Sequence, residues 1–542
     1  MNGLGIHLMV APVVLPLMAG AAMLFVGSEA QRIYRAGLNL LSTFALVGIA
    51  LVLLVGANTA PNGLLGVYRL GDWPAPFAIV LVVDQLSALM LLLTSVIAAA
   101  AVISSLARWH RIGPHFHSLF QFLLMGLNGA FLTGDLFNLF VFFEVLLVAS
   151  YGLALHGSGP ARIRAGMQYV VVNLAASLVF LVGVSLIYGV TGTLNMADLA
   201  VRIPTLEGTQ RGLLEAGAAI LSVAFLVKAG VWPLCFWLPS TYGSASPPVG
   251  CMFAIMTKVG AYVVLRLWLL LFGDDSGSMA QFGGQWLLLG GLATVAFGTI
   301  GSLASQDLAR LTSFSVLVSS GTMLAAVGMG QVAVTGGALY YLPSSTLALA
   351  ALFLLIDLVE RGREPGADML AVTREAYGDD EGAEGDKEDV EIGIAIPATM
   401  ALLGLAFLGC ASVIAGLPPL SGFIAKLALL RAVLDVSGMP EGGVPFTSWG
   451  LLIVLLLSSL AALIAMSRAG IKVFWAEADR TTPRIGLIEF GPIAALLFLC
   501  VAQTVAAGPA MRFAEATART LHAPQEYVRA VLLPGPGRGG GT

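Results

Sequence analysis

Charge is what this 542-residue chain has least of. Asp, Glu, Lys and Arg make up 11% of it, less than half of the roughly 25% usual in soluble globular proteins, so it cannot dress the surface of a water-soluble body of its length. The net charge of −4 is too small and dispersed to suit a nucleic-acid partner. Its four cysteines, Cys235, Cys251, Cys410 and Cys500, each lie in or beside an apolar run, and none forms a C-x-x-C pair. That excludes an iron–sulfur ligand set or a disulfide framework and leaves small buried hydrophobes. The chain also lacks a Walker loop, a dinucleotide glycine motif and a nucleophile elbow, so any work it does draws on an ion gradient or a partner. No histidine falls at the middle of an apolar run, which argues against an internal haem.

What it has instead is length after length of apolar sequence. Runs of roughly 18 to 25 residues recur from end to end, which excludes a barrel of short alternating strands and predicts an all-α polytopic membrane protein in a lipid bilayer. About fourteen spans are expected, near 7–26, 36–57, 78–107, 116–134, 135–155, 166–190, 213–240, 247–271, 286–304, 310–330, 334–359, 393–434 (interrupted), 448–467 and 487–508. The first lacks a basic leader and a small-residue cleavage site and reads as a retained helix.

Cytoplasmic loops hold the excess of Lys and Arg. With an even number of spans, fifteen of the 27 basic residues fall on the side opposite the termini. Five (Arg69, Arg202, Arg211, Arg266 and Arg431) fall in loops on the terminal side and four more (Arg512, Arg519, Arg529 and Arg538) in the C-terminal tail, so both termini are expected outside. The polar insertion 360–391 is rich in acids and poor in aromatics and reads as a solvated cytoplasmic loop. It lacks the Asp/Asn and Gly spacing of a calcium loop. The tail from Pro534 is flexible by composition.

Two spans are interrupted alike, by Pro233-Leu-Cys-Phe-Trp-Leu238 and by Pro419-Leu-Ser-Gly-Phe-Ile424. Five-helix units of odd helix number must start from opposite sides of the membrane, so these breaks suggest two inverted repeats. The expected division is 1–115 for the N-terminal helices, 116–275 for the first repeat, 286–475 for the second, and 476–542 for the last helix and tail. Two ordinary proline kinks are the plainer reading.

Four charged side chains fall deep inside apolar spans: Glu144, Lys228, Lys258 and Lys426. Each costs about 2.5 to 3.5 kcal/mol at a helix centre if left unpaired. The positions three and four residues away from each are uncharged, so compensation must come from other helices or internal water. Glu144 with Lys228 is the available acid–base pairing. It suggests a proton device in which protonation of Glu144 frees Lys228 to pass its own proton on, with Lys258 and Lys426 continuing the relay. Static buried ion pairs holding helices in register are the competing reading.

Asp84 either lines a point of access or caps a helix, and Asp135 reads as a helix N-cap. Asp307 and Arg310 are expected to form an interfacial contact. His110, His115 and His117 sit beside Arg108 and Arg111 without a carboxylate or cysteine, so no metal site is expected.

Several stretches together resemble a known family. They are Gly134-Asp-Leu-Phe-Asn-Leu-Phe-Val-Phe-Phe-Glu144, Phe225-Leu-Val-Lys228-Ala-Gly-Val-Trp-Pro233-Leu-Cys-Phe-Trp-Leu-Pro239, Ala245-Ser-Pro-Pro-Val249 with Lys258, and Gly416-Leu-Pro-Pro-Leu-Ser-Gly-Phe-Ile-Ala-Lys426. They are similar to the antiporter-like membrane subunits shared by respiratory complex I and the multisubunit Mrp (Pha, Mnh) cation/proton antiporters. The fifth-span motif and Ile424-Ala-Lys426 look closest to the D-type subunits of the Mrp antiporters, and Leu339-Tyr-Tyr-Leu342 looks like the Pha branch. The resemblance implies fourteen helices in two inverted five-helix repeats, broken seventh and twelfth helices, and a midplane proton path. Glu144 and Lys228 would be its essential pair, Lys258 the central relay and Lys426 the terminal one. It also implies the other antiporter subunits as partners, H+ exchanged for Na+ or K+, and no cofactor. Such members often carry a histidine or lysine in the eleventh span, where this chain has Ser344, Ser345 and Thr346, so a bridge from Lys258 to Lys426 would run on hydroxyls and water. A proton-pumping subunit of complex I or a membrane hydrogenase, and a structural scaffold subunit, are the alternatives.

Overall fold

The structure is a computed structural model that describes residues 7–25, 32–361 (except 76, 78 and 114), 398–434, 445–474 and 485–533. Inside a bilayer the backbone has no water to bond, so apolar runs close their hydrogen bonds within helices. The N-terminal part holds α1 (Ala11–Phe25), α2 (Arg32–Thr59), a hairpin of β1 (Leu64–Arg69) and β2 (Val80–Asp84), and α3 (Gln85–Ser105). There follow α4 (Phe116–Leu132), α5 (Leu136–Ala154), α6 (Pro160–Thr191), the short α7 (Met196–Arg202), α8 (Gly208–Ala229), α9 (Leu238–Ser244) and α10 (Pro247–Leu271). Then come α11 (Gly284–Ala304), α12 (Leu308–Gly328), α13 (Val332–Glu360), α14 (Ala398–Ala415), α15 (Ser421–Leu434), α16 (Phe446–Phe474) and α17 (Leu487–Val505), closed by α18 (Ala507–His522) and α19 (Gln525–Leu532).

Among the described residues twelve helices are long and apolar enough to cross a membrane, and α1 and α4 are shorter apolar helices. Every expected span overlaps a helix among the described residues, and the seventh and twelfth are broken at their prolines. α8 stops at Ala229 and α9 resumes at Leu238, while α14 stops at Ala415 and α15 resumes at Ser421. Each break contains a cis proline, Pro233 in one and Pro419 in the other.

Burial sorts the helices into an inner set and an outer ring. The apolar window of α10 is 100% buried and that of α13 94%, whereas α17 is only 22% buried. The outer helices turn Leu, Val and Phe outward, as lipid-facing surfaces do. Small residues let the backbones close up. A Cβ added at Gly291 of α11 would lie 2.5 Å from the amide nitrogen of Ala325 on α12, and one at Gly321 would lie 2.8 Å from the Gly291 carbonyl oxygen.

The structure corrects the sequence reading at both ends of the chain. The third span starts at Gln85, because Val80-Leu-Val-Val-Asp84 is a β-branched run that pairs antiparallel with Leu64–Arg69 and adds a hairpin to the all-α expectation. The region after the last span is not simply a tail, since α18 and α19 pack through Ala514, Thr517, Ala518, Leu521 and Val531. Arg69 fastens them by donating to the carbonyl oxygens of Ala530, Val531 and Leu533 at 2.9, 3.1 and 2.6 Å. The acidic insertion beyond Arg361 and the tail from Pro534 lie outside the described residues.

The α11–α12 contact supplies a test. Gly291→Val would force backbone apart from backbone and destabilise by about 1 to 3 kcal/mol. A clear fall in the thermal midpoint and yield of the detergent-solubilised protein is expected, and parental values for both would show that this approach is not tight.

Candidate functional site

The four charged residues of the apolar spans lie on α5, α8, α10 and α15. Glu144 sits midway along α5, half-buried, and accepts a hydrogen bond from the Ser177 hydroxyl of α6. Lys228 occupies the last turn of α8, 7% exposed. There the negative end of the helix dipole favours a cation. Its ammonium lies 4.9 Å from the centroid of the Phe143 ring and has no hydrogen-bond partner among the described residues.

The expected direct Glu144–Lys228 pair is therefore not formed. Neighbouring residues on a helix point about 100° apart, so when α5 turns Phe143 to Lys228 it turns Glu144 to α6. The carboxylate still acts on Lys228 electrostatically, across space and not through contact.

The break after α8 is held by two hydroxyls. Ser320 of α12 donates to the Ala229 carbonyl at 2.6 Å, and Thr294 of α11 accepts from the Trp232 amide at 2.9 Å. α10 meets this point at Gly260, where a Cβ would lie 2.5 Å from the Ala229 nitrogen.

Lys258 is fully buried on α10, with 0% exposure. Its ammonium donates to the Ser319 hydroxyl at 2.6 Å, and Ser319 donates to the Ser345 hydroxyl at 2.9 Å. Ser345 in turn donates to the Tyr341 carbonyl at 3.0 Å. Every donor points the same way, from α10 through α12 to α13. Ser319, Ser345 and Tyr341 then line a cavity of about 20 Å³ whose far wall is Lys426. A space of roughly 10 to 15 Å³ already admits a water molecule where polar partners surround it.

Lys426, 8% exposed, closes the row. It donates to the Ile414 and Ala415 carbonyls at 2.9 and 3.1 Å and to the Ser459 hydroxyl at 2.9 Å. The two carbonyls are left over at the C-terminal end of α14, where the helix has run out of its own donors. The break thus provides the oxygen cage that a buried ammonium needs.

Of the three hydroxyls expected to bridge the eleventh span, only Ser345 lies on this row. Ser344 pairs with Ser421 at 2.9 Å, and Thr346 donates to its own helix at Leu342 O, 2.6 Å away. Sequence reading misses Ser177, Ser319, Tyr341 and Ser459. Ser315, Ser319 and Thr322 recur at helical spacing on α12, a hydroxyl stripe that is the one sequence signal pointing to that face.

The remaining candidates are structural in their contacts. Asp84 caps α3 in a reciprocal arrangement with Ser87, both bonds being 2.9 Å, and pairs bidentately with Arg266 at 2.5 and 2.8 Å. Burial alone would raise its carboxyl, but the Arg266 guanidinium and the Ser87 bonds overcome that and hold it below the usual carboxylate range. Arg266, a loop residue by the sequence reading, is instead buried on α10. Asp135 accepts from the amides of Phe137 and Asn138, both at 2.9 Å, and burial raises its carboxyl.

Asp307 and Arg310 do meet, through the backbone: Asp307 caps α12 by accepting from the amides of Ala309 and Arg310. His117 is buried against Asn39, 2.8 Å away, whereas His115 is exposed. No group of three or more metal-ligating side chains occurs among the described residues. All four cysteines are free and buried.

Residues 133–440 match the family described as NADH:quinone oxidoreductase/Mrp antiporter, transmembrane. The chain is 56% identical over 531 residues to a protein of Rhizobium meliloti named as the D subunit of a probable K(+)/H(+) antiporter, covering 97% of each. It is 34% identical over 540 residues to the D subunit of the Na(+)/H(+) antiporter of Alkalihalophilus pseudofirmus, covering 97% of this chain and 99% of that one. Among solved structures it is similar to a chain of the Mrp complex from Dietzia sp. DQ12-45-1b, with TM-score 0.82, 25% identity, and coverage of 98% of this chain and 100% of that one.

Gly416 tests the cage around Lys426. It holds φ +79°, and a Cβ there would lie 2.8 Å from the Lys426 Cδ. Gly416→Ala is expected to cost about 1 to 2 kcal/mol for the left-handed backbone and to displace the lysine stem. A lowered thermal midpoint together with slowed transport is the expected result, and parental behaviour in both would show that the cage tolerates a methyl group.

Proposed function

Because the chain belongs to the NADH:quinone oxidoreductase/Mrp antiporter family of membrane proteins, we propose that it is the D-type, proton-translocating subunit of a multisubunit antiporter exchanging Na+ or K+ for H+. It is a component of a secondary transporter and not an enzyme. Its partners are the other subunits of that complex. The two relatives named above carry antiporter names, K(+)/H(+) in one and Na(+)/H(+) in the other. They favour this reading over a proton-pumping subunit of complex I.

The observation that carries the mechanism is the directed row Lys258, Ser319, Ser345 and the cavity shared with Lys426. In the proposed relay Glu144 receives a proton from one side of the bilayer. Neutralising that carboxylate removes the negative charge that acts on Lys228 across space, and the lysine's ammonium has no hydrogen bond to break among the described residues. The lysine then passes its proton toward Lys258 across the close approach at Gly260. A proton leaving Lys258 enters the Ser319 hydroxyl as that hydroxyl hands its own to Ser345. Ser345 hands its own to a water in the cavity, and that water passes one to Lys426 once the lysine has released its own proton. One elementary charge driven across 100 mV supplies about 2.3 kcal/mol per turn.

The broken helices, each with a lysine beside the break, support reading 116–275 and 286–475 as inverted five-helix repeats. The loop distribution of Lys and Arg supports both termini facing outward.

Proton flux into vesicles holding the intact complex tests this reading. Glu144→Gln is expected to leave assembly unchanged and nearly abolish exchange. A scaffold role predicts the reverse, poor assembly with normal exchange per assembled complex. The double change Ser319→Ala with Ser345→Ala is expected to slow exchange ~10-fold, about 1.4 kcal/mol on the barrier. Parental exchange by an assembled Glu144→Gln complex would remove that carboxylate from the relay.

A further inference from the structure

The end of the bundle opposite α18 and α19 holds a buried polar cluster that the relay does not use. There α2 and α4 face each other through Asn39, Ser42, Thr43, His117 and Gln121, each at most 2% exposed. Gln121 Nε2 donates to the Asn39 Oδ1 at 2.6 Å and lies 3.4 Å from the Asn39 backbone carbonyl oxygen, while its Oε1 accepts from the Ser42 hydroxyl at 2.9 Å. Turned over, this amide would set oxygen against a carbonyl oxygen, so its orientation is fixed. Asn39 Oδ1 is thereby an acceptor, and its Nδ2 is left to donate to His117 Nδ1 at 2.8 Å. An amide nitrogen can only donate, so the His117 proton sits on Nε2.

That N–H is buried and has no acceptor among the described residues. His110, in the short link between α3 and α4, stands 5.6 Å away between ring centroids, and its Nδ1 is likewise buried without a partner. Buried polar groups are paired with very few exceptions, so two at one spot call for an oxygen from outside the chain. The surrounding charges decide which kind. Arg111 and Arg32 act on His110, and Arg35 and His156 on His117, with no carboxylate among the groups that act on either ring. Burial first, then Arg111 and Arg32, holds the His110 imidazole below the usual histidine range. The site is therefore cationic through its arginines, and the positive end of α2, which begins at Arg32, adds to the field. Beside Arg32, Ile33 and Tyr34 are 74% and 69% exposed. Such a pair faces lipid at the depth where aromatic side chains meet headgroups.

We propose that His110, His117 and Arg111, with Arg32 and Arg35 at the start of α2, form a site for the phosphate of an anionic phospholipid that ties α2 to α4 at the lipid boundary. The arginines supply the charge, and the two imidazole N–H groups donate to phosphate oxygens. A lipid whose headgroup carries its own cation, such as phosphatidylcholine, brings no net charge to this field, whereas phosphatidylglycerol brings one. Basic pockets between spanning helices on the cytoplasmic side bind anionic headgroups in this way. This face is the one read above as cytoplasmic, but the binding test below holds for either leaflet.

Native mass spectrometry of the intact detergent-solubilised complex, titrated with dioleoyl phosphatidylglycerol or dioleoyl phosphatidylcholine, reads the binding. The thermal midpoint, measured with each lipid or with inorganic phosphate, reads its effect on the fold. Phosphatidylglycerol is expected to bind in preference to phosphatidylcholine and to raise the midpoint, and inorganic phosphate alone is expected to leave it unchanged. Arg111 is exposed, so Arg111→Gln should keep the parental midpoint without lipid while weakening phosphatidylglycerol binding ~5-fold, the share of one basic residue near an anionic surface. Arg111→Lys should bind as the parent does. His110→Phe keeps a ring in the link and removes the donor, and should weaken binding as well. Parental affinity for phosphatidylglycerol in both Arg111→Gln and His110→Phe, or equal binding of the two lipids by the parent, would overturn the site. A midpoint raised as far by inorganic phosphate as by phosphatidylglycerol would overturn the assignment to a lipid.

Discussion

An ammonium group in a bilayer must find oxygen, and this protein is arranged around where those oxygens come from. With little carboxylate at mid-depth, Lys258 and Lys426 are served by serine hydroxyls and backbone carbonyls. A continuous helix can offer hydroxyls but not its carbonyls, which are committed to its own amides. Breaking a helix releases them. Lys426 takes two carbonyls at the end of α14, and Lys228 sits at the corresponding end of α8. The proline-interrupted spans are thus one source of cation-binding groups in this interior, beside the hydroxyls of Ser319 and Ser459 on unbroken helices.

The two breaks are used differently. Lys426 is gripped by three oxygens, while Lys228 rests on a phenyl ring with its hydrogen bonds unmade. A buried donor without a partner carries a desolvation penalty of about 1 to 3 kcal/mol or more for a charged group. That penalty suits a group meant to change its protonation or partner during a cycle. Lys258 lies between these extremes, bonded to one hydroxyl that is itself a donor to the next. The row therefore runs from a loosely held ammonium to a firmly held one, with hydroxyls between them.

Around this row the packing is close where motion would break it. Glycines on α10, α11 and α12 bring backbones together at the points where hydroxyls must reach across, so that Ser320 caps Ala229 and Thr294 holds Trp232. On the face that carries the C-terminal helices, the β-hairpin, α18 and α19 are joined by Arg69 and by the end of α10 through Asp84 and Arg266. This is a second, separate centre of buried charge, fully paired where the first is not.

Long apolar runs can close their hydrogen bonds only as helices in a bilayer, so the helical character and approximate positions of the spans were legible from sequence. Proline at 233 and 419 marked the two breaks for the same local reason, and the expense of charge in lipid singled out Glu144, Lys228, Lys258 and Lys426. The hairpin at 64–84 and the helices at 507–532 were not legible, because their stability comes from surfaces they meet far away in the chain. Partners were hidden too. Whether Glu144 faces Lys228 depends on the rotation of α5 about its axis, which local sequence leaves free and packing against α6 and α8 sets. Serines, being common in apolar helices and usually bonded to their own backbone, show no mark by which Ser345 differs from Thr346. Only the approach of α10, α12 and α13 decides which hydroxyl a lysine can reach.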